Sequence, residues 1–404
     1  MPDCNRRDAS AVQHGRQIQC RVASAQSISR ITIRPPLDGS HLEAAKLIGI
    51  PWAKCIGRGT LLIWSIAWNA VERRVFRPNR IMNNNLSRRD FGKRTSAGVG
   101  SLLTGTLLDS EAALGQDLNA PDNRLVLLGL NALARAHELD YFADGHRGAS
   151  LVAAHLLCLE NKLNERAKSR IVELFDLNWA SSPLCKPFPD AEPAPAQIDK
   201  IGLALAEGGE VLRQVGHNAI FAMLAIKAFR MLPSAATPHR IEGVCALIRS
   251  FTPWRDVEPA KDVDPPPFNE SAAASQFILR EASAAIDRFV GFGQGFAGHM
   301  LTFGQALVEL AAMGDVELAE SCRTAFRKYV TVTRRGPDPD AKRIPDHQPT
   351  NLRPRDVTYW EKRGDRAVDI GHVFKYPYSY YDLLRRANDP ELTHDLETKA
   401  HHLF

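Results

Sequence analysis

Seven cysteines occur in 404 residues and none stands in Cys-x-x-Cys spacing, which leaves no basis for a cysteine-built zinc site. His-Glu-x-x-His, a Walker loop, a nucleophile elbow and a strand-borne Gly-x-Gly-x-x-Gly are all missing, so the common metalloprotease, nucleotide-binding and hydrolase layouts are excluded. Long apolar–polar alternation is missing too, which argues against sheets. No apolar run is long enough to remain as a membrane helix: 61–68 is too short, and 95–108 is broken by Gly98, Gly100 and Gly105. A one-sided charge is also lacking. The net +5 divides into +9 for residues 1–115, with 17 basic and 8 acidic side chains, and −4 for 116–404, with 34 and 38. The basic excess belongs to a leader and makes no case for nucleic acid. What remains is 44% hydrophobic and 24% charged, an ordinary globular balance.

The leader is read from residue 82 onward. Ser87-Arg88-Arg89-Asp90-Phe91-Gly92-Lys93, followed by a mild small-residue run, closely resembles the bacterial twin-arginine export motif: Ser87, the pair Arg88 and Arg89, Phe91 and Lys93 fall where that motif has them. Cleavage is expected after Ala113-Leu114-Gly115, with Ser110-Glu111-Ala112 as second choice. This implies an exported, periplasmic or secreted bacterial protein whose first partner is the twin-arginine export machinery. Residues 1–81 are then either an upstream region read as protein, with the true start at Met82, or a disordered extension. The expected organisation is thus 1–81 extension, 82–115 signal peptide and 116–404 folded domain. That domain keeps Cys158, Cys185, Cys245 and Cys322, which form one or two disulfides in an oxidising compartment or remain buried thiols.

From Asn123 on, apolar residues recur at three and four, as in Leu125, Leu128, Ala132, Ala136 and Leu139, which predicts an all-α fold. Proline- and charge-rich connections lie at 183–195, 253–268 and 334–354. Gly-His occurs four times, at Gly145-His146, Gly216-His217, Gly298-His299 and Gly371-His372, with spacings of 71, 82 and 73 between histidines. Each is expected to open a helical hairpin with a further helix before it, giving four repeats stacked as an α/α toroid or solenoid.

In a closed ring, equivalent positions converge on the axis. His146, His217, His299 and His372 are therefore expected around one central pocket, each near a helix N-terminus that keeps its imidazole neutral. Neutral imidazole binds a divalent metal or serves as a base. The competing reading makes Gly-His a helix-start device. Lys375, one turn after His372, is expected to face the same pocket, whereas His155, nine residues after His146, points elsewhere. Asp144 and Asp369 either orient the imidazoles or cap helices. Tyr376, Tyr378, Tyr380 and Tyr381 line a pocket or pack the core, Gly291 to Gly295 makes a flexible approach, and His401-His402 reads as a frayed end.

The four hairpins and their leading histidines resemble the questin oxidase-like family of helical-repeat proteins. Asp369-Ile370-Gly371-His372-Val373-Phe374-Lys375 with the later Asp389-Pro390-Glu391-Leu392 resembles that family's closing His-x-x-Lys helix and turn, and Gly216-His217 and Gly298-His299 its inner helices. The resemblance spans most of 123–404. It implies an NADPH-dependent Baeyer–Villiger type oxidation of a polycyclic aromatic ketone, with His217, His299, His372 and Lys375 as catalytic residues. An exported chain departs from this, because it meets no NADPH supply. The alternative function is a non-catalytic helical-repeat protein holding a small-molecule ligand or a partner against its concave face and the 334–354 loop.

Overall fold

The computed structural model describes residues 123–404 except Asp256 and His347. The export motif Ser87 to Lys93, the cleavage site, the extension and the boundary at 116 lie outside the described residues.

Two thirds of the described residues are helical and there is no sheet; one isolated bridge joins Arg213 to Pro253. The helices are α1 (Arg124–Arg135), α2 (Ala143–Glu160), α3 (Glu165–Asn178), α4 (Asp199–Ala206), α5 (His217–Met231), α6 (Pro238–Ser250) and α7 (Ser271–Phe289). They continue as α8 (Gly295–Ala312), α9 (Val316–Ser321), α10 (Arg323–Arg334), α11 (Val357–Lys362), α12 (His372–Ala387) and α13 (Pro390–Lys399). No described helix is long and apolar enough to cross a membrane.

Composition sorts these helices into two layers. In α2, α5, α8 and α12 nearly every residue is buried, as the sequence of α8, Gly-Phe-Ala-Gly-His-Met-Leu-Thr-Phe, requires of a helix apolar on all sides. In α3 only Ala167, Ile171, Leu174 and Phe175 are buried, a single stripe with charge on the other face. The four inner helices pack in a closed cycle, α2 on α5, α5 on α8, α8 on α12 and α12 back on α2. Around them α1 packs on α2 and α6, α4 on α5 and α6, and α7 on α8 and α12. Side chains such as Leu151, Leu156, Phe221, Phe229, Ile278, Leu301 and Leu307 are fully enclosed between the layers. Each such side chain contributes on the order of 2 kcal/mol.

The inner helices run parallel, because their beginnings meet at one end and their ends at the other. At the far end Lys227 Nζ donates to Glu160 (2.6 Å), Glu309 (2.7 Å) and the Tyr378 hydroxyl (3.1 Å). Arg386 pairs with Glu309 and, at 2.8 Å, with Asp382, which also receives Gln305 Nε2 at 3.0 Å. One residue set from four helices thus forms an ionic floor. The cations in it also suit the negative ends of the helix dipoles.

Cys158, Cys185, Cys245 and Cys322 are all free and buried, so of the two sequence readings the buried thiols hold and the disulfides do not. One sequence expectation is corrected. His401-His402 is not frayed: it lies in a short 3-10 turn, His402 Nδ1 is 2.8 Å from Asp346, and Leu403 and Phe404 are buried beyond it. Phe404 packs at 5.3 Å from the ring of Tyr380, so apolar burial holds the terminus down.

Candidate functional site

The Gly-His pairs meet the helices in two ways. His217 and His372 are the first residues of α5 and α12, and the glycine before each is left-handed at φ 92°. A side chain there is excluded twice over: its Cβ would run into the Phe303 ring at Gly216 and into Ser150 at Gly371. Gly216 closes a run of left-handed backbone, with Gln214 at φ 37° and Val215 at 57°. His146 and His299 instead sit one turn inside α2 and α8. Only two of the four pairs therefore open a helix. The helix-start reading fails for the other two, whose glycines make room for neighbouring rings, Phe221 beside Gly145 and Tyr376 beside Gly298.

All four imidazoles come together, one from each inner helix. Ring centroids run 4.3 Å from His146 to His217, 4.7 Å to His299, 5.1 Å to His372 and 5.0 Å back to His146. The diagonal from His146 to His299 is 6.3 Å. His217 Nε2 lies 2.9 Å from His299 Nε2, and His146, His217 and His299 can each offer a nitrogen such that all three lie within 4.8 Å of one another. His146, His217 and His299 are at most 3% exposed.

The orientation of two rings comes from their own helices. His146 Nδ1 donates to the Phe142 carbonyl at 2.8 Å, and His299 Nδ1 to the Gly295 carbonyl at 2.6 Å, four residues back in each case. Such a bond fixes the tautomer and leaves Nε2 as the bare nitrogen, the arrangement that metal-binding histidines use. Asp144 does not take part: it pairs with Arg147 and accepts from the Asp140 amide, while Asp140 Oδ1 accepts from the Phe142 and Ala143 amides at the helix start. Asp369 lies on a left-handed turn before His372.

Lys375 is buried, with 2% exposure, and its Nζ has no hydrogen-bond partner; it lies 5.5 Å from the centre of the Phe221 ring. His146 Nε2 and His372 Nε2 are likewise buried without partners. Burial, followed by the proximity of Lys375 and the other imidazoles, holds His146 and His372 far below the usual histidine range; burial, then His299 and Lys375, does the same to His217. His299 is brought down to about 3, by burial first and Lys375 second. Burial also drives the Lys375 amine well below its ordinary value, with Asp369 opposing. At neutral pH the four imidazoles are uncharged nitrogen bases.

Of the aromatic wall around the imidazoles, the sequence marks Tyr376 alone; Phe142, Phe221 and Phe251 come from the structure. Phe142 lies 4.5 Å from His146 and 5.2 Å from His217, Phe221 5.3 Å and 5.5 Å from the same rings, and Phe251 5.8 Å from His217. Tyr376 stacks on His372 at 4.7 Å, and its hydroxyl is 3.3 Å from His299 Nδ1. A signal was available: an aromatic residue follows His217, His299 and His372 by four positions, as Phe221, Phe303 and Tyr376, which is one helical turn. Tyr378, Tyr380 and Tyr381 do not reach this centre; Tyr378 joins the ionic floor, Tyr380 donates to Glu397, and Tyr381 lies under Arg355. His155 is buried outside the cluster.

No family model, curated protein or solved structure matches the chain.

Proposed function

We propose that this chain is an exported oxidoreductase whose reaction centre is the histidine cluster, with one divalent transition-metal ion held by His146, His217 and His299 and by His372 as fourth imidazole. The observation that carries this reading is the meeting of four imidazoles from four inner helices at one sealed point, two of them turned inward by their own helix carbonyls. Two imidazole nitrogens bound to one ion at about 2.1 Å each stand about 3.0 Å apart at a right angle and about 3.4 Å apart in a tetrahedron, and the 2.9 Å between His217 Nε2 and His299 Nε2 lies close to the shorter of these. An all-imidazole donor set suits iron, copper, nickel or zinc rather than calcium or magnesium. Lys375 places a buried amine without a partner beside the ion, where it serves as a base or a further donor.

The twin-arginine motif supports the same reading, because that pathway moves proteins already folded and loaded. Four helices arranged as a small α/α ring would give the ion one enclosed seat. Of the candidate ions, iron or copper held by the imidazoles would supply the redox chemistry that an oxidoreductase needs, whereas zinc would not. Convergence of the histidines also favours a reaction centre over a scaffold that binds through the 334–354 loop.

Elemental analysis of the natively exported protein tests this. About one equivalent of a transition metal is expected in the wild type, and none in folded His217→Ala and His299→Ala variants. A metal-free wild type, or variants that keep the metal, would remove the metal centre and leave the binding protein as the better reading.

A further inference from the structure

The centre is rich in nitrogen and holds no carboxylate. Among the described residues the side chains placed to share an ion there are His146, His217 and His299, and no acid joins them. Asp144 is tied up with Arg147, and the one carboxylate that offsets the loss of charge on Lys375 is Asp369, on an exposed turn. At the opposite end of the same four helices the balance is complete, with Glu160, Glu309 and Asp382 facing Lys227, Arg386 and Arg385.

The backbone adds to this imbalance. α5 and α12 begin at the centre, and α2 and α8 begin one turn before their histidines, so four helix N-termini present positive dipole ends to one place. Helix starts alone do not make a site. Here a buried primary amine, Lys375 Nζ, stands among them without a partner, and so do His146 Nε2 and His372 Nε2. A divalent cation bound by neutral nitrogens would keep its full charge inside a buried core, at high cost unless a ligand brings the counter-charge. Without any cation, the bare imidazole nitrogens offer a negative oxygen nothing, and it is the N–H groups of Lys375 and the dipole ends that favour one.

We propose that the centre takes a monoanionic oxygen ligand, the carboxylate or enolate-type oxygen of a small organic molecule, seated against Lys375 Nζ. This rests on the histidine cluster being a working site and holds whether or not the site carries a metal. The substrate class is thereby narrowed to molecules that present one anionic oxygen to Lys375 Nζ, with Phe142, Phe221 and Tyr376 as walls for their apolar remainder.

Calorimetric titration of the full chain with acetate, and with the isosteric neutral acetamide, tests the proposal. It is run on chelator-stripped and on zinc-loaded protein, at an ionic strength held with a bulky sulfonate salt. Acetate is expected to bind in a one-to-one ratio at least about tenfold more tightly than acetamide. Lys375→Met should weaken acetate by about tenfold or more. Equal affinities for acetate and acetamide, no saturable acetate binding, or acetate binding indifferent to the variant would overturn it. Should Lys375→Met fail to fold, the acetate–acetamide ratio decides. Acetate binding without any metal uptake would remove the metal and keep this inference, whereas stoichiometric metal with no acetate response would do the reverse.

Discussion

His217 Nε2 and His299 Nε2 stand 2.9 Å apart, inside a closed ring of four helices, although 82 residues separate them in the chain. His299 uses its Nδ1 hydrogen on the Gly295 carbonyl, so its Nε2 is bare and the contact is a hydrogen bond only if His217 supplies the proton at its own Nε2. Replacing that proton by a metal ion lets both nitrogens act as donors without moving either helix. The pair is therefore the point where proton and metal compete, and the place to begin mutagenesis.

The buried imidazoles set an acid limit on the metal-free protein. Their folded values lie below the unfolded value of about 6.5, with His299 at about 3. Between those limits the unfolded chain binds protons that the native centre refuses, so stability is full above pH 6.5 and falls as the pH drops towards 3. Each imidazole contributes a slope of about 1.4 kcal/mol per pH unit. Urea unfolding of chelator-treated protein from pH 8 to pH 5 should show this loss, and a His146→Phe variant should show a shallower one. A flat profile would mean that the imidazoles are solvated.

Gly216→Ala and Gly371→Ala should each destabilise the fold by about 2–4 kcal/mol, combining left-handed strain with overpacking. The cause is the φ of 92° at both and the Phe303 ring and Ser150 that the new methyl meets. Gly314→Ala is the control, since it shares a left-handed φ of 95° but faces open space. It should cost only about 1 kcal/mol, as read from urea midpoints. Equal losses at all three positions would show that the neighbours move aside.

Glu309 joins Lys227 and Arg386 across three helices with 6% of its side chain exposed. Glu309→Gln removes one buried charge and leaves two, so a loss of about 3 kcal/mol is expected. In a double-mutant cycle, Lys227→Met combined with Glu309→Leu should recover part of the sum of the single losses. Strict additivity would mean that solvent already screens the pair.

The thiols of Cys158, Cys185, Cys245 and Cys322 should resist alkylation in the native protein and react on unfolding. Burial pushes Cys158 and Cys322 up to about 12 and Cys185 to about 11, so little thiolate exists at neutral pH. Peptide mapping after iodoacetamide labelling resolves these four, and the melting temperature should not change with reductant. Rapid native labelling of Cys322, which lies 1% exposed, would contradict the packing.

The helices were legible because the period of three and four survives even where a helix is buried on all sides, as in α8. The meeting of the histidines was legible from the recurrence of Gly-His at spacings of 71, 82 and 73, and Lys375 from its one-turn offset to His372. Three things were not. The hydrogen bonds that aim His146 and His299 go to backbone carbonyls, which carry no residue identity, so the acidic neighbours Asp144 and Asp369 drew attention instead. The left-handed turn at Gln214 and Val215 breaks local preference and arises from tertiary packing. The ionic floor hides in an offset of ten residues, His217 to Lys227, His299 to Glu309 and His372 to Asp382, about 15 Å along a helix.

A ring aimed by the carbonyl of its own helix, as His146 and His299 are, needs no particular amino acid at the position that aims it. Substitutions that keep the turn keep the aim, and the surrounding text can drift while the geometry persists. Descendants of one ancestor could then share this centre and retain in common little more than a glycine, a histidine and a helix to carry them.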